Sequence, residues 1–265
     1  MYRLLLILLF APLAAAQTLR LAAAADLQPV LPPILTEFES QTHIHIDASY
    51  QSSATLATQI QNGAPFDLFM AADLSFPQRV IAEGLADSDK PVTYARGTLV
   101  LWTRKDSPFR QLSVDTLRDA AMKTLAIANA EHAPYGRAAE ASLKSLGLYD
   151  QLKPKFVVAE NIAQTAQYVD SGNAQLGLIS LTSALSPRLQ ANGNYIAMPR
   201  DSYPPILQGA VVLKNSSNRT SAHQFLDFLL SPPVQKKLAA HGLEPPNMTD
   251  REHSPEPKYS PEPKY

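Results

Sequence analysis

Apolar residues recur along this chain in two rhythms. Short apolar runs, the mark of buried strands, fall at 18–24, 98–103, 125–128, 155–158, 174–181, 195–198 and 206–213. The stretch 43–50 alternates instead, as a half-exposed strand does. Between the runs, apolar residues fall at helical spacing. Val30, Leu31, Ile34, Leu35 and Phe38 mark a helix over 27–40, and Val80, Ile81 and Leu85 mark one from Ser75 to a stop at Gly84. Further helices are predicted over 137–146, from Asn161 to Gly172, over 221–230, and from Ser231 to Gly242. A short one follows 112–117. Pro32 and Pro33 sit late for a first turn and are expected to delay or kink the first helix.

The stretch from Tyr50 to Asp73 carries the pattern in its densest form. A strand end meets Ser52-Ser53, either of which can cap a helix by accepting from its free N–H groups. Leu56 and Ile60 supply that helix's buried side, Gly63-Ala64-Pro65 stops it, and a buried strand follows. Strands alternating with helices imply parallel α/β sheets. Such sheets bind ligands where strands run out into helices. The turns to examine are 24–27, 51–55, 130–136, 160–163 and 180–183.

Composition narrows the choice. The 265 residues suffice for one large domain or two lobes. Charged residues make up 18% and the formal net charge is -1, with no basic run, which argues against nucleic-acid binding. There is no cysteine, so disulfides, thiolate zinc sites, a thiol nucleophile and a lipid-modified N-terminal Cys are excluded. Arg3, the apolar run 4–13 and Ala14-Ala15-Ala16 have the layout of a cleaved export signal over 1–16. The run is too short for a permanent span, which needs about 20 residues. A soluble protein exported to the periplasm is expected. From Met248 the chain turns proline-rich and repeats Ser-Pro-Glu-Pro-Lys-Tyr, which predicts a disordered tail over 248–265.

No turn carries an evident catalytic set. Nucleophile-elbow, Walker, zinc-protease and dinucleotide motifs are all missing. His132 sits in a candidate loop and could act as a base, but no nucleophile is identifiable beside it. His43 and His45 would share a strand face, without a third metal ligand nearby. The turns do offer backbone N–H groups at helix starts and Ser and Tyr hydroxyls. Such neutral donors suit a fully ionised oxyanion, which only accepts hydrogen bonds.

Several segments, in order, resemble the periplasmic molybdate-binding proteins of bacterial ABC importers: Ala23-Ala24-Ala25-Asp26-Leu27, Ser52-Ser53-Ala54-Thr55-Leu56, Gly63-Ala64-Pro65-Phe66-Asp67, Gly97-Thr98-Leu99-Val100, Ala133-Pro134-Tyr135-Gly136 and Gly177-Leu178-Ile179. The resemblance covers roughly 19–242. It implies a type 2 periplasmic binding fold of two α/β lobes, each a mainly parallel sheet flanked by helices, closing on a ligand between them. It implies no catalysis and no cofactor. The ligand is molybdate or tungstate, held through its oxygens without direct metal ligation. The implied oxyanion contacts are Asp26, Ser53, Tyr135, Ile162 through its backbone N–H, and Ser180. Lobes are expected at 18–94 with 202–247 and at 95–201, as a monomer that docks on a membrane permease.

Two positions depart from the family's habit. Asp26 stands where serine or asparagine is common, and a carboxylate facing a dianion is repulsive by more than about 1 kcal/mol at contact. Asp26 is therefore expected to offer its N–H and to turn its side chain away as a cap. Ser180 stands where some relatives have tyrosine. Asp26 could instead accept the proton of hydrogen phosphate, so a phosphate or other oxyanion receptor remains an alternative, with sulfate disfavoured by its size. A small organic anion would call for an arginine, and Arg137 is the basic residue beside a candidate turn. A secreted hydrolase using His132 and a serine is the remaining alternative.

Overall fold

Two five-stranded sheets carry the chain, and each contains the same strand–helix–strand–helix–strand unit. The computed structural model describes residues 18–109 and 111–247. The predicted export signal over 1–16 and the predicted tail over 248–265 lie outside the described residues.

In the first sheet β1 (Thr18–Ala24), β2 (His45–Gln51) and β3 (Leu68–Ala71) run parallel. Helix α1 (Leu31–Thr42) joins the first two, and α2 (Ser53–Gln61) joins the second to the third. Beyond β3 the chain forms α3 (Ser75–Ala82) and β4 (Val92–Gly97). The chain then crosses to the second sheet through β5 (Leu99–Arg104). There β6 (Leu125–Ala128), β7 (Phe156–Ala159) and β8 (Leu176–Ser180) form the parallel unit. Helices α4 (Pro134–Ser145), α5 (Tyr149–Leu152) and α6 (Ile162–Asp170) connect them. Short helices α7 (Leu181–Ala184) and α8 (Pro187–Asn192) lead to β9 (Gly193–Ala197). The chain returns through β10 (Ile206–Val212) and ends in α9 (Arg219–Leu230) and α10 (Pro232–Ala240).

The sheet orders are β2-β1-β3-β10-β4 and β7-β6-β8-β5-β9. In each, the last two strands pair antiparallel, so the sheets are mixed. The cause is the crossing itself. β5 and β10 each arrive from the other sheet, and an antiparallel strand needs no helical crossover on the way in. The first sheet also keeps the chain as far as Gly97, past the crossing expected at Tyr94.

Packing explains which segments the sequence pattern exposes. One face of the first sheet buries Ala22, Phe69 and Val211 under Leu56 and Ile60 of α2 and Val80 of α3. Each such buried aliphatic side chain contributes about 1.5–3 kcal/mol. The second sheet likewise buries Val100, Trp102 and Ile179 under Ala166 and Val169 of α6. The opposite faces share one large apolar cluster spanning both sheets, from Leu19 and Phe38 through Leu101 to Leu143. β4 escapes the alternation rule because Thr93, Tyr94 and Ala95 are all buried. α1 starts late, at Leu31, which places Pro32 and Pro33 in its first turn where their missing N–H groups cost nothing. His43 closes α1 with a left-handed φ of 58°, so β2 starts only at His45. The two histidines therefore do not share a strand face. His45 pairs with Glu39 at 3.1 Å, and no cluster able to hold a metal occurs among the described residues.

Candidate functional site

Helix starts converge where the two sheets face each other. Strand β1 runs out into a 3-10 turn, Ala25–Leu27, that carries Asp26. β2 runs out into α2, with Ser52 as its cap and Ser53 as its first residue. From the other side, β6 leads to α4, which opens with Pro134-Tyr135, and β7 leads to α6, capped by Asn161 and opened by Ile162. Asp26, Ser53, Tyr135 and Ile162 all line one small cavity of about 10 Å³, together with Gln51, Ser52, Ala72 and Asn161. That is room for about one water. None of its lining residues is lysine or arginine.

Side-chain caps open two of these helices. Ser52 Oγ accepts from the Thr55 N–H at 3.2 Å, and Asn161 Oδ1 accepts from the Gln164 N–H at 2.9 Å. Each cap takes a later N–H, so the first N–H groups of α2 and α6 have no partner within their helices. With the positive ends of the helix dipoles they form an anion-binding surface. Pro134 pre-sets the first turn of α4 without an N–H to satisfy. The helix therefore starts at Pro134, earlier than the predicted 137. Gly136 makes this possible. A Cβ there would stand 2.4 Å from the Ala128 carbonyl oxygen, so only glycine lets α4 start so close to the end of β6.

Hydroxyls add to the surface. Ser53 Oγ accepts from the Ala72 N–H at 3.0 Å, which leaves its own proton free to donate. Tyr135 is buried, with its hydroxyl tucked against Gly97, where a Cβ would stand 2.2 Å away.

Asp26 behaves differently from the expected cap. The turn has no side-chain capping hydrogen bond, and Asp26, which lines the cavity, is fully buried. Gln208 Nε2 on β10 donates to its Oδ2 and, at 3.4 Å, to the Tyr135 hydroxyl. The Tyr94 hydroxyl on β4 donates to Gln208 Oε1 at 2.7 Å. Oδ1 of Asp26 has no hydrogen-bond partner. Burial pushes the carboxyl up to about 6, against the lowering effect of Gln208 and Tyr135. Burial also pushes the Tyr94 and Tyr135 hydroxyls well above their ordinary range.

The rim of the cavity is stitched across the two halves. The Ala54 N–H donates to the His132 carbonyl at 3.2 Å, and the Thr55 hydroxyl reaches Glu160 at 3.4 Å. His132 pairs with Glu160 at 2.9 Å, and Arg137 pairs with Asp73 and lies 5.2 Å from the Phe76 ring. A larger groove of about 400 Å³, lined by Gln28, Gln167, Asp170 and Arg188 among others, opens to solvent. Of the helices whose starts line the small cavity, only α6 reaches it, with Ala163, Ala166, Gln167 and Asp170, residues after its first.

Residues 19–244 match the family described as bacterial extracellular solute-binding protein. The chain belongs to that family. This solute-binding protein is 36% identical over 234 residues to the molybdate-binding protein ModA of Azotobacter vinelandii, covering 88% of this chain and 92% of that one. It is 33% identical over 231 residues to ModA of Rhodobacter capsulatus, covering 87% and 89%. Among solved structures it superposes on the Azotobacter vinelandii periplasmic molybdate-binding protein with a TM-score of 0.81 at 30% identity, covering 86% of this chain and all of that one.

In this solute-binding protein four of the five residues singled out in the sequence meet at the cavity. Ser180 does not. It ends β8 on the second sheet, where its Oγ caps α7 by accepting from the Ser183 N–H at 3.2 Å and bonds the Ser183 and Thr182 hydroxyls. Its hydroxyl is consumed there. Gln208, which bonds Asp26 behind the cavity, is the supporting residue that sequence reasoning misses. Its signal is a lone polar side chain inside the apolar run 206–213.

Proposed function

We propose that this protein captures molybdate outside the cytoplasm and delivers it to the membrane permease of an ABC importer. The observation that carries the reading is the cavity itself. Three helix starts, two of them capped by side chains that take a later N–H, and a 3-10 turn meet around a space without a lysine or arginine. A tetrahedral dianion fits that chemistry because every oxygen can accept and none needs to donate. The space as it stands holds about one water, so the lobes must part to admit the ion; once they have closed on molybdate, size gives specificity, since the smaller sulfate would leave donors too far away. Tungstate, nearly isosteric with molybdate, should bind as well.

In this reading Ser53 donates through its hydroxyl and Tyr135 and Ile162 through their N–H groups. The two sheets belong to two lobes, at 18–94 with 202–247 and at 95–201 with the crossing shifted to Gly97, which part to admit the ligand and close on it. The protein acts as a monomer, exported to the periplasm by the segment 1–16, and needs no cofactor and performs no catalysis.

Isothermal titration with molybdate, tungstate, sulfate and phosphate tests this. Tight binding of the first two and weak or no binding of the others is expected. No heat with either metal oxyanion, or tighter binding of phosphate, would overturn it. Thermal melting tests the same point independently, since a ligand that binds only the native state raises the midpoint by mass action.

A further inference from the structure

We propose that Asp26 holds the oxyanion as a neutral carboxylic acid, with the proton on Oδ1 donated to the ligand, so that binding of the dianion takes up one proton from solvent. The inference rests on the proposed function of the same cavity and adds a donor to it. Its basis is geometric. Asp26 lines the cavity and is fully buried. One carboxyl oxygen is occupied by Gln208, and the other has no hydrogen-bond partner. A buried, unpartnered carboxylate oxygen is costly. Beside a dianion it would be costlier still. Protonation removes both costs at once, since an acid Oδ1–H becomes a donor like its neighbours.

Burial favours the neutral form, and the hydrogen-bonding of Gln208 and Tyr135 opposes it only in part. Facing Asp26 are Gln208 from β10 and Tyr135 from α4, with Tyr94 of β4 behind Gln208. None of these is cationic. From α2 and α6 come Ser53, Asn161 and Ile162, which are also uncharged. The nearby titratable residues sit at the rim and are paired among themselves, Arg137 with Asp73 and His132 with Glu160. No cation therefore holds the carboxylate ionised, and its titration near 6 agrees with this environment. At neutral pH the free protein is mostly ionised here, so the ligand must draw a proton in. The step balances: solvent or buffer supplies H⁺, Asp26 carries it, and release of the ligand returns it.

Calorimetry with molybdate between pH 5.5 and 8.5, in buffers of different ionisation enthalpy, tests the proposal. Wild-type affinity should be flat at the acid end and fall about tenfold per pH unit above pH 7, with proton uptake approaching one per ligand. Asp26→Asn keeps a donor at this position without a charge. It should bind with no pH dependence and no proton uptake, matching wild type at pH 5.5 and exceeding it about a hundredfold at pH 8. Wild-type binding that is tight but pH-independent, with no proton uptake, overturns the proposal and leaves the molybdate reading standing. Absence of molybdate and tungstate binding at every pH removes that reading and the proposal with it. Because wild-type proton uptake alone decides the point, a variant that failed to fold would not shield the proposal.

Discussion

The two halves of the cavity are made from the same parts but supply different chemistry. After the first strand of each unit comes Asp26 in one half and Tyr135 in the other; after the second comes the Ser52-Ser53 pair in one and Asn161-Ile162 in the other. In the proposed reading the half built on the first sheet adds side chains, a carboxyl and a hydroxyl, to the N–H groups at the start of α2. In the same reading the half built on the second offers the backbone N–H groups of Tyr135 and Ile162, with their side chains as bystanders. Side-chain donors can be removed by a single substitution. Backbone donors can only be moved, by shifting the helix that holds them. The two halves should therefore respond to mutation in opposite ways.

The largest effect is expected where the backbone half can be displaced. Gly136→Ala places a methyl 2.4 Å from the Ala128 oxygen and 2.8 Å from the Asn129 carbonyl carbon, all backbone atoms that cannot swing aside. The start of α4 must shift, carrying the Tyr135 N–H with it. Calorimetry should show molybdate affinity lower by a hundredfold or more, and thermal melting a loss of about 1–3 kcal/mol from overpacking. Ile162→Ala is the contrasting change. It removes a side chain and keeps the N–H, so affinity should stay within a few-fold. Equal losses from the two would erase the distinction between the halves.

The side-chain half should next show itself in stability. The folded-state pKa of Asp26, about 6, lies above its ordinary 3.8. The native state therefore binds the extra proton between those values. Its contribution is present below about pH 4 and is lost as pH rises through about 6. The difference is about two units, or about 3 kcal/mol. Asp26→Asn should stabilise the ligand-free protein by up to that amount at pH 7 and by almost nothing at pH 4. Chemical denaturation at the two pH values checks it, and a variant less stable than wild type at pH 7 would contradict the assigned environment.

Ser53→Ala comes third. The hydroxyl serves twice, accepting from the buried Ala72 N–H and donating toward the cavity. Loss of a hydrogen bond to a charged ligand costs about 1.5–3 kcal/mol, so titration should find affinity lower by about ten- to a hundredfold. Stability should fall as well, since the Ala72 N–H is left without its acceptor. A change in stability with no change in affinity would make Ser53 a structural bond only.

Much of this arrangement is legible in the sequence for a local reason. A cap, a first turn and an apolar stripe are written within a few consecutive residues. Ser52-Ser53 before Leu56 and Asn161 before Ala166 therefore announce their helices and, through them, their N–H groups. What escapes is written across distance. β4 shows no alternation because both its faces are covered, and the antiparallel strands β5 and β10 depend on the chain crossing between sheets. Gln208 bonds Asp26 from 182 positions away, so no window contains them both. The local expectation for Asp26 is a side chain turned aside as a cap, because that is what short polar side chains do at helix starts. The burial that overrides this comes from β4, β10 and α4 together. Ser180 shows the reverse: its local context, Ser180 before Ser183, is a cap, and that is the bond it makes in the fold.

The smallest effect should come from the rim that joins the halves. Arg137 on α4 pairs with Asp73 beyond β3, and the same guanidinium lies over Phe76. The pair looks like a clasp, yet its side chains are 41% and 17% exposed. Water and salt screen such a pair to about 1 kcal/mol or less. The contact to Phe76 adds a similar small amount at an exposed site. Arg137→Ala should therefore weaken molybdate binding by less than about tenfold, mainly through faster release, and the deficit should shrink further at high salt. A double-mutant cycle with Asp73→Ala isolates the pair from the stacking, and its coupling should stay below about 1 kcal/mol. Should Arg137→Ala instead cost as much as Gly136→Ala, the halves would be held shut by the charged rim, and the donors inside would be passengers of a closure they do not drive.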